Sequence, residues 1–180
     1  MNVASRYFLL LTLLAIVSCE PEAPNLSHCE RAIPESSLNA TDREVLSAII
    51  QNRGSNYLLS ETIGASFGSI GELPYDVDSI TIFRADERSL RGGSIGKKDF
   101  NMISVVTREH FNCVGATLNL DEWNGPRFMA VSLPGYNLDS TEALVNIQQG
   151  LYNGFSSTCE VYLEKQNGIW RMFSFPCAIP

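Results

Sequence analysis

Histidine is nearly absent from this chain: only His28 and His110 occur among 180 residues. A zinc centre needs three or four ligands at recognisable spacing, so a histidine-built metal site has almost nowhere to form. The G-x-S-x-G elbow, the S-x-x-K pair, the G-x-x-x-x-G-K-[ST] phosphate loop and the dinucleotide fingerprint are missing too. With them go the sequence signatures of several hydrolase and nucleotide-binding classes. Basic residues are few, 13 against 20 acidic. That imbalance argues against nucleic acid as a partner and against docking of the protein surface on anionic headgroups. The acidic residues are scattered, as on a solubilising surface. No stretch approaches the roughly 20 apolar residues of a membrane-spanning helix. The longest, Tyr7 to Val17, has 11 residues. That length suits a signal-peptide core, and Arg6 supplies the positive charge that precedes one.

Ile16-Val17-Ser18-Cys19 closes that run and resembles the bacterial lipobox, with an aliphatic residue, a small residue and then cysteine in the required order. The resemblance implies diacylation of the Cys19 thiol, cleavage before Cys19 and acylation of the new amino terminus. Several acyl chains attach a protein stably to a membrane. The expected location is the bacterial cell envelope, outside the cytoplasm, with the outer membrane favoured over the inner. Four cysteines remain, Cys29, Cys113, Cys159 and Cys177, an even number that suits two disulfides in an oxidising compartment. The organisation expected is a signal peptide over 1–18, a lipid anchor and tether over 19–36, and one domain over 37–180. Glu20-Pro21-Glu22-Ala23-Pro24-Asn25 has the composition of a tether, and the remainder is long enough to bury a core without help from disulfides.

Thr41-Asp42-Arg43-Glu44 has the spacing of a capping box, and Val45, Leu46, Ile49 and Ile50 fall on one helical face before Gly54. Tyr57–Ile63, Met102–Thr107, Ala116–Leu120, Phe128–Leu133 and Ala143–Tyr152 read as strands from β-branched or apolar content. Val77–Leu90 mixes strand and helix signals. Cys159–Lys165 and Ile169–Phe175 flank Asn167-Gly168, the strongest short hairpin signal. Pairing Gln166 with Ile169 sets Glu164 opposite Arg171, Leu163 opposite Met172 and Tyr162 opposite Phe173. Cys159 then faces Pro176. Nearness favours a Cys159–Cys177 bridge, leaving Cys29 with Cys113, but side-chain parity requires a bulge at Pro176. Four cysteines allow three pairings.

Candidate chemistry is thin. Glu109-His110-x-x-Cys113 contains ligand types, but no second cluster accompanies it, and a Cys113 nucleophile needs a free thiol of lowered pKa. His28 sits in the expected tether. Arg84, Arg88, Arg91 and the stretch Gly92-Gly93-Ser94-Ile95-Gly96-Lys97-Lys98 make a basic segment, read as a solvated loop, with an anionic-ligand patch as the sharper alternative. Asp121-Glu122 beside Trp123 are adjacent, so they cannot flank a glycosidic bond as two separated carboxyls must. Trp123 and Trp170 read as core or hairpin anchors.

Met129-Ala130-Val131-Ser132-Leu133-Pro134-Gly135-Tyr136-Asn137, then Glu142-Ala143-Leu144-Val145, then Tyr162-Leu163-Glu164-Lys165-Gln166-Asn167-Gly168-Ile169-Trp170 resemble, in that order, a group of exported bacterial proteins of unknown function. Asp99-Phe100-Asn101 fits the same group. The closing hairpin is also similar to the last strands of a cystatin-like cone, in which a long helix packs on a curved antiparallel sheet around an apolar pocket. The expected fold is α+β, an N-terminal helix packed on a mainly antiparallel sheet ending in the C-terminal hairpin, with the cone as alternative. The expected function is a non-catalytic envelope lipoprotein, held to the membrane through Cys19, that binds a protein or small-molecule partner or maintains the envelope. The alternatives are a small-ligand binder with a cone-shaped pocket and a small hydrolase using Glu109, His110 or Asp121. No catalytic residue, metal ligand or cofactor is assigned.

Overall fold

The structure, a computed structural model, describes residues 26–67, 77–118, 125–151, 156–174 and 177–178. Helix α1 (Ala40–Arg53) carries the expected buried stripe of Val45, Leu46, Ile49 and Ile50 and ends at Gly54. Its cap differs from the expected one. Asn39, not Thr41, is the N-cap: Asp42 N donates to Asn39 Oδ1 at 2.8 Å, and Asn39 N donates to Asp42 Oδ2 at 3.1 Å. Both candidate boxes have workable spacing. Asparagine is the stronger cap, and Asp42 is also fixed from outside the helix.

After α1 come β1 (Tyr57–Leu59), α2 (Ser79–Arg91), β2 (Ser104–Val106), α3 (Arg108–Leu118), β3 (Arg127–Val131), β4 (Gly135–Tyr136), β5 (Glu142–Leu151), β6 (Ser156–Gln166), β7 (Ile169–Ser174) and β8 (Cys177–Ala178). The strands form one mixed sheet in the order β2-β1-β3-β5-β6-β7, with β4 attached to β5 and β8 to β6. Strand β1 runs parallel to β2 and β3, and every other pairing is antiparallel. The architecture is α+β. The parallel pairs set it apart from the all-antiparallel cone.

Strand alternation sorts the core into two layers. On one face Val145, Ile147, Val161, Leu163, Met129 and Val131 pack against α1. On the other, Leu59, Val106, Phe128 and Ala130 pack on Phe111 of α3, while Leu144 and Tyr162 pack on Ala85 of α2. This second layer corrects two sequence expectations. The ambiguous 77–90 stretch is helical from Ser79, with the Asp78 side chain accepting from Ile80 N. Of the strand expected over Ala116–Leu120, residues 116–118 are the last turn of α3, because Phe111, Val114 and Gly115 recur at helical spacing on its buried side, and residues 119–120 lie outside the described residues. Within the 19–36 segment, Ser27–Cys29 form a short 3-10 turn, Cys29 is buried, and Ser94 Oγ donates to Glu35 O.

The hairpin follows the expected register from Gln166–Ile169 to Leu163–Met172, with Asn167 and Gly168 at φ of 51° and 79°, as a type I′ turn requires. Beyond Leu163 the pairing slips by one. Tyr162 faces Ser174, not Phe173, so the extra residue enters three positions before Pro176. That slip puts Cys177 opposite Cys159 with a Cα–Cα distance of 4.0 Å, and the two are bridged. Cys29 and Cys113 form the other bridge.

The two layers meet most closely where β4 crosses α2. A Cβ atom on Gly135 would fall on the backbone of Ala85, so this crossing admits glycine alone. Gly135→Ala is therefore expected to cost about 3 kcal/mol or more, the upper range for overpacking. Urea denaturation measures it, and a loss below about 1 kcal/mol would show that α2 can move aside.

Candidate functional site

Among the described residues Asp42 stands out for its polar contacts, and its side chain is fully buried. Its Oδ1 accepts from Arg88 Nη1 at 2.9 Å and from the Tyr136 hydroxyl at 2.8 Å. Its Oδ2 accepts from Arg88 Nη2 at 2.9 Å and from Asn39 N at 3.1 Å. A carboxylate has about four lone-pair sites, and all are taken. Arg88 also donates to Pro134 O and lies 5.4 Å from the centre of the Tyr136 ring. Burial pulls the Arg88 pKa down, but the Asp42 carboxylate outweighs it and the guanidinium is held above its ordinary value. Burial, reinforced by the Asp42 charge, pushes the Tyr136 hydroxyl far up. A saturated carboxylate, a locked guanidinium and a phenol that keeps its proton do no acid-base work. The cluster is a clamp.

The same neighbourhood accounts for the Ser132–Asn137 motif residue by residue. Ser132 and Asn146 join β3 to β5: Ser132 N donates to Asn146 O at 2.8 Å, and Asn146 N donates to Ser132 Oγ at 2.9 Å. Gly135 admits α2, and Tyr136 reaches Asp42. Asn137 Oδ1 accepts from Thr141 N and Glu142 N, closing the turn into β5. Arg84 donates to the carbonyls of Tyr136 and Asn137. Arg84 and Arg88 thus hold the fold together, and Arg91 pairs with Glu87. The three arginines of the basic segment are each engaged separately and form no shared patch.

His110 lies on α3, and its Nδ1 donates to Cys29 O at 3.0 Å. It lines a cavity of about 270 Å³ along the edge strand β2 together with Glu30, Arg31 and Lys97. No hydrogen bond joins Glu30 to His110 among the described residues. Glu109 is exposed. His28, Cys29 and Cys113 cluster closely enough to suggest metal ligation, but the two sulfurs are bonded to each other and offer no thiolate. Trp170 is a core anchor: it is buried, with its ring 6.0 Å from that of Tyr136 and Lys165 Nζ 5.4 Å above it. Cys19 and Asp121-Glu122-Trp123 lie outside the described residues.

Two further cavities open on the sheet. One of about 500 Å³ lies between the 63–66 segment and Asn146, Gln148 and Thr158. The Asn146 Oδ1 is buried, with no hydrogen-bond partner among the described residues. The other, about 350 Å³, lies beyond the C-terminal end of α1 and is lined by Arg53 and Arg127. Sequence reading singled out neither arginine, since each stands alone in the chain. The readable trace was in β5, where the alternating apolar set Ala143, Val145, Ile147 turns polar at Gln149.

Comparison with protein-family models, with curated proteins and with solved structures finds no match for the chain.

Two stability predictions follow from these ion pairs. Arg88→Met strands the Asp42 charge and is expected to cost about 3–5 kcal/mol, as removal of one partner of a buried pair does. Adding Asp42→Asn should restore part of that loss in urea melts, and no recovery would mean the carboxylate is not the stranded group. Asp99 supplies the second. Burial pushes its carboxyl up, but hydrogen bonds from Ser36, Arg43 and Gly96 N outweigh this and hold it below its ordinary value. A depressed folded pKa contributes stability that is present above about pH 4 and is lost as pH falls through the folded value. Acid unfolding of Asp99→Asn should accordingly show a shallower fall in stability below about pH 4 than the wild type, and parallel curves would contradict the assignment.

Proposed function

We propose that this chain is a lipid-anchored protein of the bacterial envelope that binds a partner or ligand and does not transform it. The observation that carries the reading is the cysteine pairing. Two bridges use Cys29, Cys113, Cys159 and Cys177, which leaves over the single cysteine that ends the lipobox-like segment. Disulfides form and persist in oxidising compartments outside the cytoplasm. No helix among the described residues is long and apolar enough to cross a membrane, so attachment through a lipid fits both facts. The resemblance of the 129–137, 142–145 and 162–170 segments to exported bacterial proteins points the same way. A binding role is supported by the use to which the conspicuous polar groups are put. Asp42, Arg88, Tyr136 and Asn137 are engaged in holding the fold, and His110 is tied through Nδ1 to a main-chain carbonyl.

Metabolic labelling with radioactive palmitate in a bacterial host tests the anchor. The wild type is expected to take up label and to sediment with membranes, and Cys19→Ala to lose the label. Wild-type protein without label, or label persisting in Cys19→Ala, would overturn the proposal.

A further inference from the structure

The face of the sheet that carries α1 changes character where the helix stops. Along β5 the residues facing α1 run Ala143, Val145, Ile147 and then Gln149 and Leu151. Along β6 the series is Leu163, Val161, Cys159 and then Ser157, and along β3 it is Val131, Met129 and then Arg127. The registers pair Arg127 with Leu151, Met129 with Gln149, and Gln149 with Ser157. Strands β5 and β6 therefore turn polar together at Gln149 and Ser157, and β3 one step further out, at Arg127 opposite Leu151. Above that level Arg53, the last residue of α1, closes the side, and the space enclosed is the cavity of about 350 Å³.

The surroundings are cationic in a protein of net charge −7. No acidic residue lines this cavity among the described residues. Arg53 Nη2 lies 3.1 Å from Cys159 Sγ and 3.5 Å from Cys177 Sγ, so the bridge braces its guanidinium. Burial holds its pKa below the ordinary arginine value. Arg127 is exposed and belongs to no ion pair among the described residues. Its main-chain carbonyl accepts from Asn56 N at 3.2 Å and Ser55 Oγ at 3.1 Å, which fixes the start of β3 to the exit of α1. Guanidinium groups present paired donors that match carboxylate and phosphate oxygens. Gln149 and Ser157 add neutral hydrogen-bonding groups, and Leu151 adds an apolar patch. The volume is at the lower end of small-molecule sites.

We propose that this shelf binds a small organic anion, with its carboxylate or phosphate oxygens between Arg53 and Arg127 and its carbon portion on Leu151. The inference rests on the reading of the chain as a binding protein and supplies a ligand class for it. It is independent of the anchor, which the labelling experiment judges separately.

The full mature chain in neutral detergent is titrated by calorimetry with benzoate, phenyl phosphate and the uncharged benzamide. Saturable binding is expected for at least one anion, with the better of the two identifying carboxylate or phosphate, and at least tenfold weaker binding for benzamide. Arg127→Gln should weaken the anion about tenfold or more, as loss of a charge-assisted hydrogen bond does. Its melting temperature should stay unchanged, because the side chain is exposed. Arg53→Gln should weaken binding likewise, and raised salt should weaken it in the wild type. Binding of neither anion, equal binding of benzamide, or a folded Arg127→Gln that binds as well as the wild type would each overturn the proposal.

Discussion

A carboxylate sealed from water must be satisfied wholly by protein, and Asp42 meets that requirement through groups from three parts of the chain. Asn39 belongs to the entry of α1, Arg88 to the last turn of α2, and Tyr136 to the short strand β4. Helices α1 and α2 lie on opposite faces of the sheet, so this one ion pair ties the two layers across its rim. The close passage of Gly135 under Ala85 depends on α2 being held there, and so does the turn that Asn137 closes into β5. Burying a charge pair seldom gains much net stability, but breaking one is costly. The clamp therefore acts mainly as a specification of how the layers must meet.

Local signals carried much of the fold. The apolar stripe of α1 and the Asn167-Gly168 turn are short-range patterns, and both sit where their spacing implies. The misreadings came from choices that short-range signals cannot make. Asn39 and Thr41 both offer a cap, and the decision falls to Asp42, whose other partners are 46 and 94 positions away in sequence. Val114 and Thr117 lend a β-branched flavour to α3, yet its burial against Phe128 and Val106 follows the helical period. Parity objected to the Cys159–Cys177 bridge for a sound reason, and the slip beyond Leu163 removes the objection by supplying one extra residue.

The candidate site was far less legible. Lone arginines at a helix end and at a strand start carry no motif, and Arg53 and Arg127 come to line one cavity only once α1 and strands β3, β5 and β6 are assembled. By contrast, the conspicuous cluster of Arg84, Arg88 and Arg91 is spent on main-chain carbonyls, Asp42 and Glu87. In this molecule charge density along the chain misleads, and the change from apolar to polar residues along adjacent strands is the better guide.

The bridges join first to second and third to fourth among the cysteines of the folded part, and their loops do not interlock. A chain threaded across a membrane from its amino terminus releases thiols in that same order. Oxidation of each successive pair as it emerges therefore yields the native connectivity without later reshuffling.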